Sequence, residues 1–334
     1  MNSKIRAVSY YLPERVVAST EIEDILRQKN SGIRIQIGII ESTTGIATRR
    51  FSRDDQYNSH LAAQAARQVL ETTTVRPEEI DLLIFAAAGQ DLLEPATAHI
   101  VQQMLGTYCS VFDVKNACNS FVNALQVADA FIAAGQYKKI LIATGETPSK
   151  SIKWDLKDRN DFKKSFAGYT LGDAGAAALI EKADADSGIL SYMGTADSAQ
   201  WEAGSLPGGG SRHPRGDEYS YFQGDGAALK EAFEKIGPDF LREFLNTQQV
   251  TADQIATVFI HQVSVPYLDS FTNAFGLDPA KICKTIDTHG NVAAATIPLG
   301  MCLYQEKNLL KTGDLILVVG LAGGISLEAM LMRW

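Results

Sequence analysis

Residues 113–121 read DVKNACNSF and set a cysteine, Cys118, between two segments of different period. Ahead of it, residues 108–114 form a mostly apolar, strand-like run. Behind it, residues 122–134 carry apolar side chains at helical spacing, with small residues among them. A strand-to-helix junction leaves backbone N–H groups unpaired, and the helix dipole favours an anion there. A thiol in that place is expected to have a lowered pKa and to act as a nucleophile near neutral pH. A lone cysteine is more often a buried structural thiol, so its meaning rests on the rest of the chain.

With 334 residues the chain exceeds one small core and fits two domains or one duplicated domain. Hydrophobic residues make up 46% and charged residues 21%, the balance of an ordinary globular protein. A net charge of -8 without a compensating stripe of Lys and Arg argues against nucleic-acid binding. Cys109, Cys118, Cys283 and Cys302 form no CxxC pair and no disulfide-like spacing, which suits a reducing cytosol. No apolar run approaches the roughly 20 residues needed to span a bilayer, so a cytoplasmic protein without a membrane span is expected.

Outward from Cys118 the chain alternates strands and helices. Residues 4–12 and the continuous apolar runs 82–88 and 139–144 are expected strands, the last two buried on both faces. Ser19 is the expected N-cap of a helix, and 58–71 and 96–105 are further expected helices. Residues 42–51 (STTGIATRRF) read as a connection, and 146–170 as a polar surface excursion, a lid or an interface loop. Residues 171–181 (LGDAGAAALIE) return to strand character.

The second half echoes the first. EIDLLIFAAA at 79–88 pairs with QIATVFIHQV at 254–263, and AAGQYKKILIATG at 133–145 with LKTGDLILVVG at 310–320. The Cys118 stretch at 113–123 pairs with DTHGNVAAATI at 287–297. The offsets share a value of about 175 residues, far above a solenoid period. Two copies of one α/β unit follow, residues 1–185 and 186–334, with layered sheets covered by helices. Their two strand-to-helix junctions should face each other, with Cys118 on one and Asn291 on the other.

His261 follows the expected strand 257–260, so Cys118, His261 and Asn291 stand at comparable places in the two halves. His261 alone reads as a core histidine and Asn291 alone as a helix cap. Together they describe a thiol able to take an acyl group, with two neutral donors for an enolate or carboxylate. His60, His99 and His289 show no metal-ligand spacing, and no metal is expected.

These stretches resemble the thiolase-fold condensing enzymes, specifically the ketoacyl synthase III branch, across essentially the whole chain. DVKNACNSF resembles the family's nucleophile motif, FIHQV its histidine motif, HGNVAAATIPL its asparagine motif and GDAGAAALIE its mid-chain strand motif. LAGGISLEAMLMRW resembles its oxyanion loop and last strand. The resemblance implies a five-layered αβαβα duplication and a homodimer. It implies Cys118 as acyl acceptor, His261 and Asn291 as the condensation pair, and the N–H groups of Cys118 and Gly323 as the oxyanion hole. No tightly bound cofactor is implied; acyl-CoA or acyl-carrier-protein thioesters are the substrates. Where acetyl-CoA-primed members carry a Trp and an Arg against the adenine, this chain has Ile39 and Thr43.

Residues 91–97 (DLLEPAT) resemble the stretch with which a head-to-head fatty acyl condensing enzyme of olefin synthesis reaches its partner's site. By that likeness Glu94 is a candidate base supplied across a dimer; by itself it is an acidic residue ahead of a helix. Arg49, Arg212, Arg215 and Lys153 are candidates for the carrier or substrate entrance, with Lys150, Lys157, Lys163 and Lys164 as a local basic patch for an acidic carrier. The function expected is Claisen condensation of a Cys118-bound acyl group with a malonyl-type or second acyl thioester. An acyltransferase to an alcohol or amine uses the same nucleophile, and a non-catalytic partner subunit is the reading from a different class.

Overall fold

The computed structural model describes residues 3–184 and 187–334. Two sheets carry the chain. The first runs in the order Ser3–Tyr11, Ala174–Lys182, Lys139–Glu146, Leu82–Ala86, Ser110–Val114. Ala174–Lys182 is antiparallel to both neighbours, and the last three strands are parallel. The second runs Gly188–Ala196, Ser326–Arg333, Leu315–Ala322, Thr257–Ile260 with the same sequence of senses. Its fifth place is held only by a parallel bridge between Val258 and Ile282. The internal repeat is therefore visible strand by strand. The border expected between residues 185 and 186 lies outside the described residues.

Three apolar clusters explain the layering. One packs the helix Ser120–Ala133, through Phe121, Val122, Leu125 and Ala128, with Ile297 and Met301 of the helix Thr296–Glu306. The same cluster takes Ile84 and Ile142 from the first sheet and Ile316, Val318 and Met330 from the second. A pair of helices thus lies between two sheets. The outer face of the first sheet (Leu83, Phe85, Leu141, Leu179) meets helices Asn58–Thr73 and Thr97–Leu105. That of the second (Val258, Leu317, Val319, Leu331) meets Gly226–Thr247 and Val265–Ala274. Strands buried on both faces read as unbroken apolar runs for this reason. Helix, sheet, helices, sheet and helix make the five layers.

Three local expectations need correction. Residues 42–51 are not a plain connection: Ile39–Thr44 is helical, and Thr48–Phe51 pairs antiparallel with Arg15–Ala18. Ser19 does not cap its helix, which starts after Ala18 without a side-chain cap; its hydroxyl donates to the Ile46 carbonyl and accepts from Arg49. The 146–170 excursion is anchored rather than free. Ile152 and Tyr169 are buried with Val17, Ile22 and Leu26, and the helix Arg159–Ser165 is capped by Asp158. Asp173 fastens its base, accepting from the backbone and hydroxyls of Ser52 and Ser149. Polar composition hid this because few apolar residues do the anchoring.

Candidate active site

The first strand-to-helix junction is a tight turn. Ala117 has φ 46°, a left-handed conformation uncommon for a residue with a Cβ and of the kind retained where a side chain must be aimed. Ser120 closes the turn, accepting the Asn116 N–H at 2.8 Å and donating to the Ala117 carbonyl at 2.7 Å. Cys118 sits on this elbow, half-buried, just ahead of the helix Ser120–Ala133. Among the described residues neither the Cys118 nor the Gly323 N–H bonds another protein group. Asp113, at the start of the motif, plays a purely structural part, capping Thr97–Leu105 through the Thr97 and Ala98 N–H groups, both at 2.8 Å.

The second half repeats the elbow. Ala293 has φ 47°, the counterpart of Ala117. Asn291 accepts the Ala293 N–H on Oδ1 at 3.0 Å, so it does cap the turn. Its backbone is clamped to the 166–172 segment, N–H to the Thr170 carbonyl at 2.8 Å and carbonyl to the Gly172 N–H at 3.0 Å. With Oδ1 occupied, Nδ2 is the end of the amide left to meet a ligand. His261 follows Thr257–Ile260, its N–H donating to the Val319 carbonyl at 3.0 Å. It is 2% exposed, and its Nδ1 has no partner among the described residues. An orphaned buried ring nitrogen costs about 1–3 kcal/mol and is retained where a reacting group will meet it.

Glu146 joins these pieces and is absent from the sequence expectations. It ends the strand Lys139–Glu146 and is 2% exposed. Its carboxylate accepts from the N–H groups of Ala88 (2.6 Å), Gly89 (3.3 Å) and Ala294 (3.3 Å), bridging the two halves. Residues 146–170 read as one polar excursion, which assigned this carboxylate to the surface. The signal available was its place at the end of the apolar run ILIATGE.

Burial governs the electrostatics. The Cys118 thiol is pushed up to about 12, first by desolvation and then by the Glu146 charge, with its own N–H acting against both. This overturns the lowered pKa expected at a helix start: the elbow's dipole is outweighed by enclosure. Desolvation holds His261 down at about 4, with the Ala293 backbone pulling the other way. Glu146 rises to about 7 by desolvation, opposed by its three backbone donors and Lys115. Near neutral pH the site therefore holds a thiol, a neutral imidazole and a carboxyl group near its midpoint. Tyr267, from the helix Val265–Ala274, lies within electrostatic reach of Cys118.

A cleft of about 770 Å³ borders the first elbow, lined by Asn116, Gly323, Gly324 and Ser326 among others. Asn119 ties the elbow to this loop, donating to the Ser326 carbonyl at 3.1 Å. Phe121 is in the central core.

The remaining candidates separate. Arg49 is not at an entrance: it is fully buried, donating to Ser19 at 2.8 Å and to the Tyr169 carbonyl at 3.1 Å. Its role is to fasten the 166–170 turn. Lys153 is bound to Asp161 at 2.7 Å, while Lys157, Lys163 and Lys164 are exposed around it. Arg212 is exposed, 5.3 Å from the Trp201 ring and 3.7 Å from Glu202, and Arg215 is exposed. Glu94 is exposed beside Leu92 and Leu93, which are 51% and 71% accessible. Among the described residues no three His, Cys, Asp or Glu come together as a metal site, and no helix is long and apolar enough to cross a membrane.

Known proteins are similar to this chain in sequence and in fold. Residues 112–198 match the family described as 3-oxoacyl-(acyl-carrier-protein) synthase III, and residues 245–334 match its C-terminal part. The beta-ketoacyl-(acyl-carrier-protein) synthase III of Natranaerobius thermophilus is 32% identical, covering 100% of this chain and 99% of that protein. A synthase III of Bacillus cereus is 29% identical over the same share of each. Among solved structures, a histidine-to-alanine variant of OleA from Xanthomonas campestris superposes with a TM-score of 0.90 at 26% identity, covering 100% and 99%. FabH of Xanthomonas oryzae gives 0.89 at 26%, with the same coverage.

Proposed function

The chain belongs to the 3-oxoacyl-(acyl-carrier-protein) synthase III family and is an acyl-condensing enzyme, and from that premise we propose that Cys118 carries the acyl group through the reaction. The observation that carries this reading is the pair of matching elbows that Glu146 ties together: a thiol after a left-handed Ala117 on one, and on the other an Asn291 amide whose Oδ1 is occupied, with a buried His261 whose Nδ1 has no partner among the described residues.

The thiol attacks the carbonyl of an acyl thioester while its proton passes to the neutral His261 ring. The tetrahedral oxyanion is received by the N–H groups of Cys118 and Gly323. On collapse the C–S bond to the donor breaks and its thiolate leaves with that proton. The nucleophile rests as a thiol, so proton removal belongs to the attack rather than preceding it. In the second half-reaction His261 and Asn291 Nδ2 donate to the carbonyl oxygen of the incoming thioester. Its α-carbon, as an enolate, attacks the Cys118 acyl carbonyl, the 3-oxoacyl product leaves as the Cys118 C–S bond breaks, and the released thiolate takes up a proton, from water on the decarboxylating route and from the protonated base on the other. The enolate arises by loss of CO2 from a malonyl-type extender, or by loss of an α-proton to a base, for which Glu94 of a partner subunit is the candidate.

The open edge strand Ser110–Val114, with exposed Tyr108, Leu92 and Leu93 on neighbouring loops, supports a homodimer through this side. Lys157, Lys163 and Lys164 support docking of an acidic acyl carrier protein, whereas Ile39 and Thr43 supply no stacking pair for CoA. The test is product analysis by mass spectrometry after offering an acyl donor with either a malonyl-type or a second acyl thioester. A 3-oxoacyl product is expected; CO2 release distinguishes the two routes. Transfer of the acyl group only to added alcohols or amines would overturn condensation.

A further inference from the structure

Acyl condensation at Cys118, as proposed above, leaves the buried Glu146 carboxylate without a part. Glu146 lies where the internal repeat is most informative. The strand Lys139–Glu146 corresponds to Leu315–Ala322, so Glu146 takes the place of Ala322, immediately before Gly323. The left-handed Ala117 corresponds to Ala293, so the Ala294 N–H is the counterpart of the Cys118 N–H. Duplication therefore builds two anion-receiving turns. One is left open at Cys118. The other is filled from within, because the Ala294 N–H is accepted by the Glu146 carboxylate.

The filled turn holds the chemistry of the second half. Asn291 Oδ1 is fixed by the Ala293 N–H, and the Ala293 backbone acts on the His261 ring. Glu146 lies within electrostatic reach of Cys118 and of the Lys115 cation. Its remaining donors, Ala88 and Gly89, lie at the end of the strand Leu82–Ala86 and hold it in the first half.

We propose, building on the condensation reading, that Glu146 is a positioning residue: its carboxylate holds the turn that presents His261 and Asn291 for carbon–carbon bond formation. Its charge also adds to the desolvation that raises the Cys118 thiol, so replacing it has two effects of opposite sign. Removing the charge makes the thiol easier to ionise, and loosening the turn slows condensation. A residue needed only for folding would depress both half-reactions together.

Glu146→Gln tests this with the intact protein. Iodoacetamide alkylation of Cys118, followed across pH, should move toward lower pH by about one unit, a rate about tenfold higher at pH 8. Condensation should fall about 100-fold relative to acylation of Cys118. An unchanged alkylation profile, or acylation and condensation falling in step, would overturn the proposal. If Glu146→Gln does not fold, Glu146→Asp serves: it keeps the charge but is one methylene shorter, so the alkylation profile should hold while condensation slows. Wild-type condensation in Glu146→Asp would overturn it too. Failure of the underlying reading looks different, since wild-type protein would then alkylate at Cys118 yet take no acyl group from any thioester.

Discussion

Acidification should expose two buried groups that push stability in opposite directions. Burial holds His261 at about 4 against the ordinary 6.5. The unfolded chain takes up that proton first, so the contribution of His261 to stability is complete above pH 6.5 and is lost as pH falls toward 4. The gap corresponds to about 3 kcal/mol. Burial lifts Glu146 from 4.5 to about 7, so here the folded chain takes up the proton first. That contribution is complete below pH 4.5 and is lost as pH rises to 7, again about 3 kcal/mol. In the wild-type protein the windows overlap and largely cancel, so differences between variants carry the information. Urea unfolding of His261→Gln should show it gaining on wild type by about 3 kcal/mol as pH falls from 6.5 to 4. Glu146→Gln should gain on wild type in the reverse direction, as pH rises from 4.5 to 7. Flat differences for both variants would refute the assignment of these shifts to burial.

Asn291→Ala removes the Nδ2 donor and leaves the Ala293 N–H unpaired. Condensation should fall about 100-fold with Cys118 acylation preserved, measured by separating the half-reactions. Gly145→Ala should destabilise by about 3 kcal/mol or more in chemical denaturation, because its Cβ would fall inside the contact radius of the Asn58 carbonyl oxygen, a backbone atom unable to step aside. Leu93→Asp changes a residue 71% exposed in the single chain, so the fold should persist; if the proposed homodimer forms through this side, light scattering should report a dimer for wild type and a monomer for the variant.

The fold was legible because its strands are buried on both faces. Leu82–Ala86 and Leu315–Ala322 stand out as unbroken apolar runs, and the spacing between repeated pairs exposes the duplication. Ser110–Val114 is only half-buried at a sheet edge, yet the junction after it still marked Cys118. Legibility failed where one residue's setting outweighs local pattern. Arg49 looks like a surface cation in sequence, but Ser19 and the Tyr169 carbonyl, far away along the chain, receive its donors in the interior. Glu146 heads a polar stretch, and only the meeting of Ala88, Gly89 and Ala294 around it shows a buried carboxylate. The Cys118 thiol was misjudged for the same reason. A helix start is visible in sequence, whereas the desolvation that outweighs it is set by the tertiary surroundings of the thiol.

The central claim is that Cys118 accepts the acyl group, and intact-mass measurement tests it most directly. Purified protein with reduced thiols is incubated with a panel of acyl-CoA and acyl-carrier-protein thioesters, without extender. Wild-type protein should gain the mass of one acyl group from its preferred donor, and Cys118→Ala should gain none. An adduct that persists in Cys118→Ala, or none from any donor while the thiol is shown to be free, would contradict it.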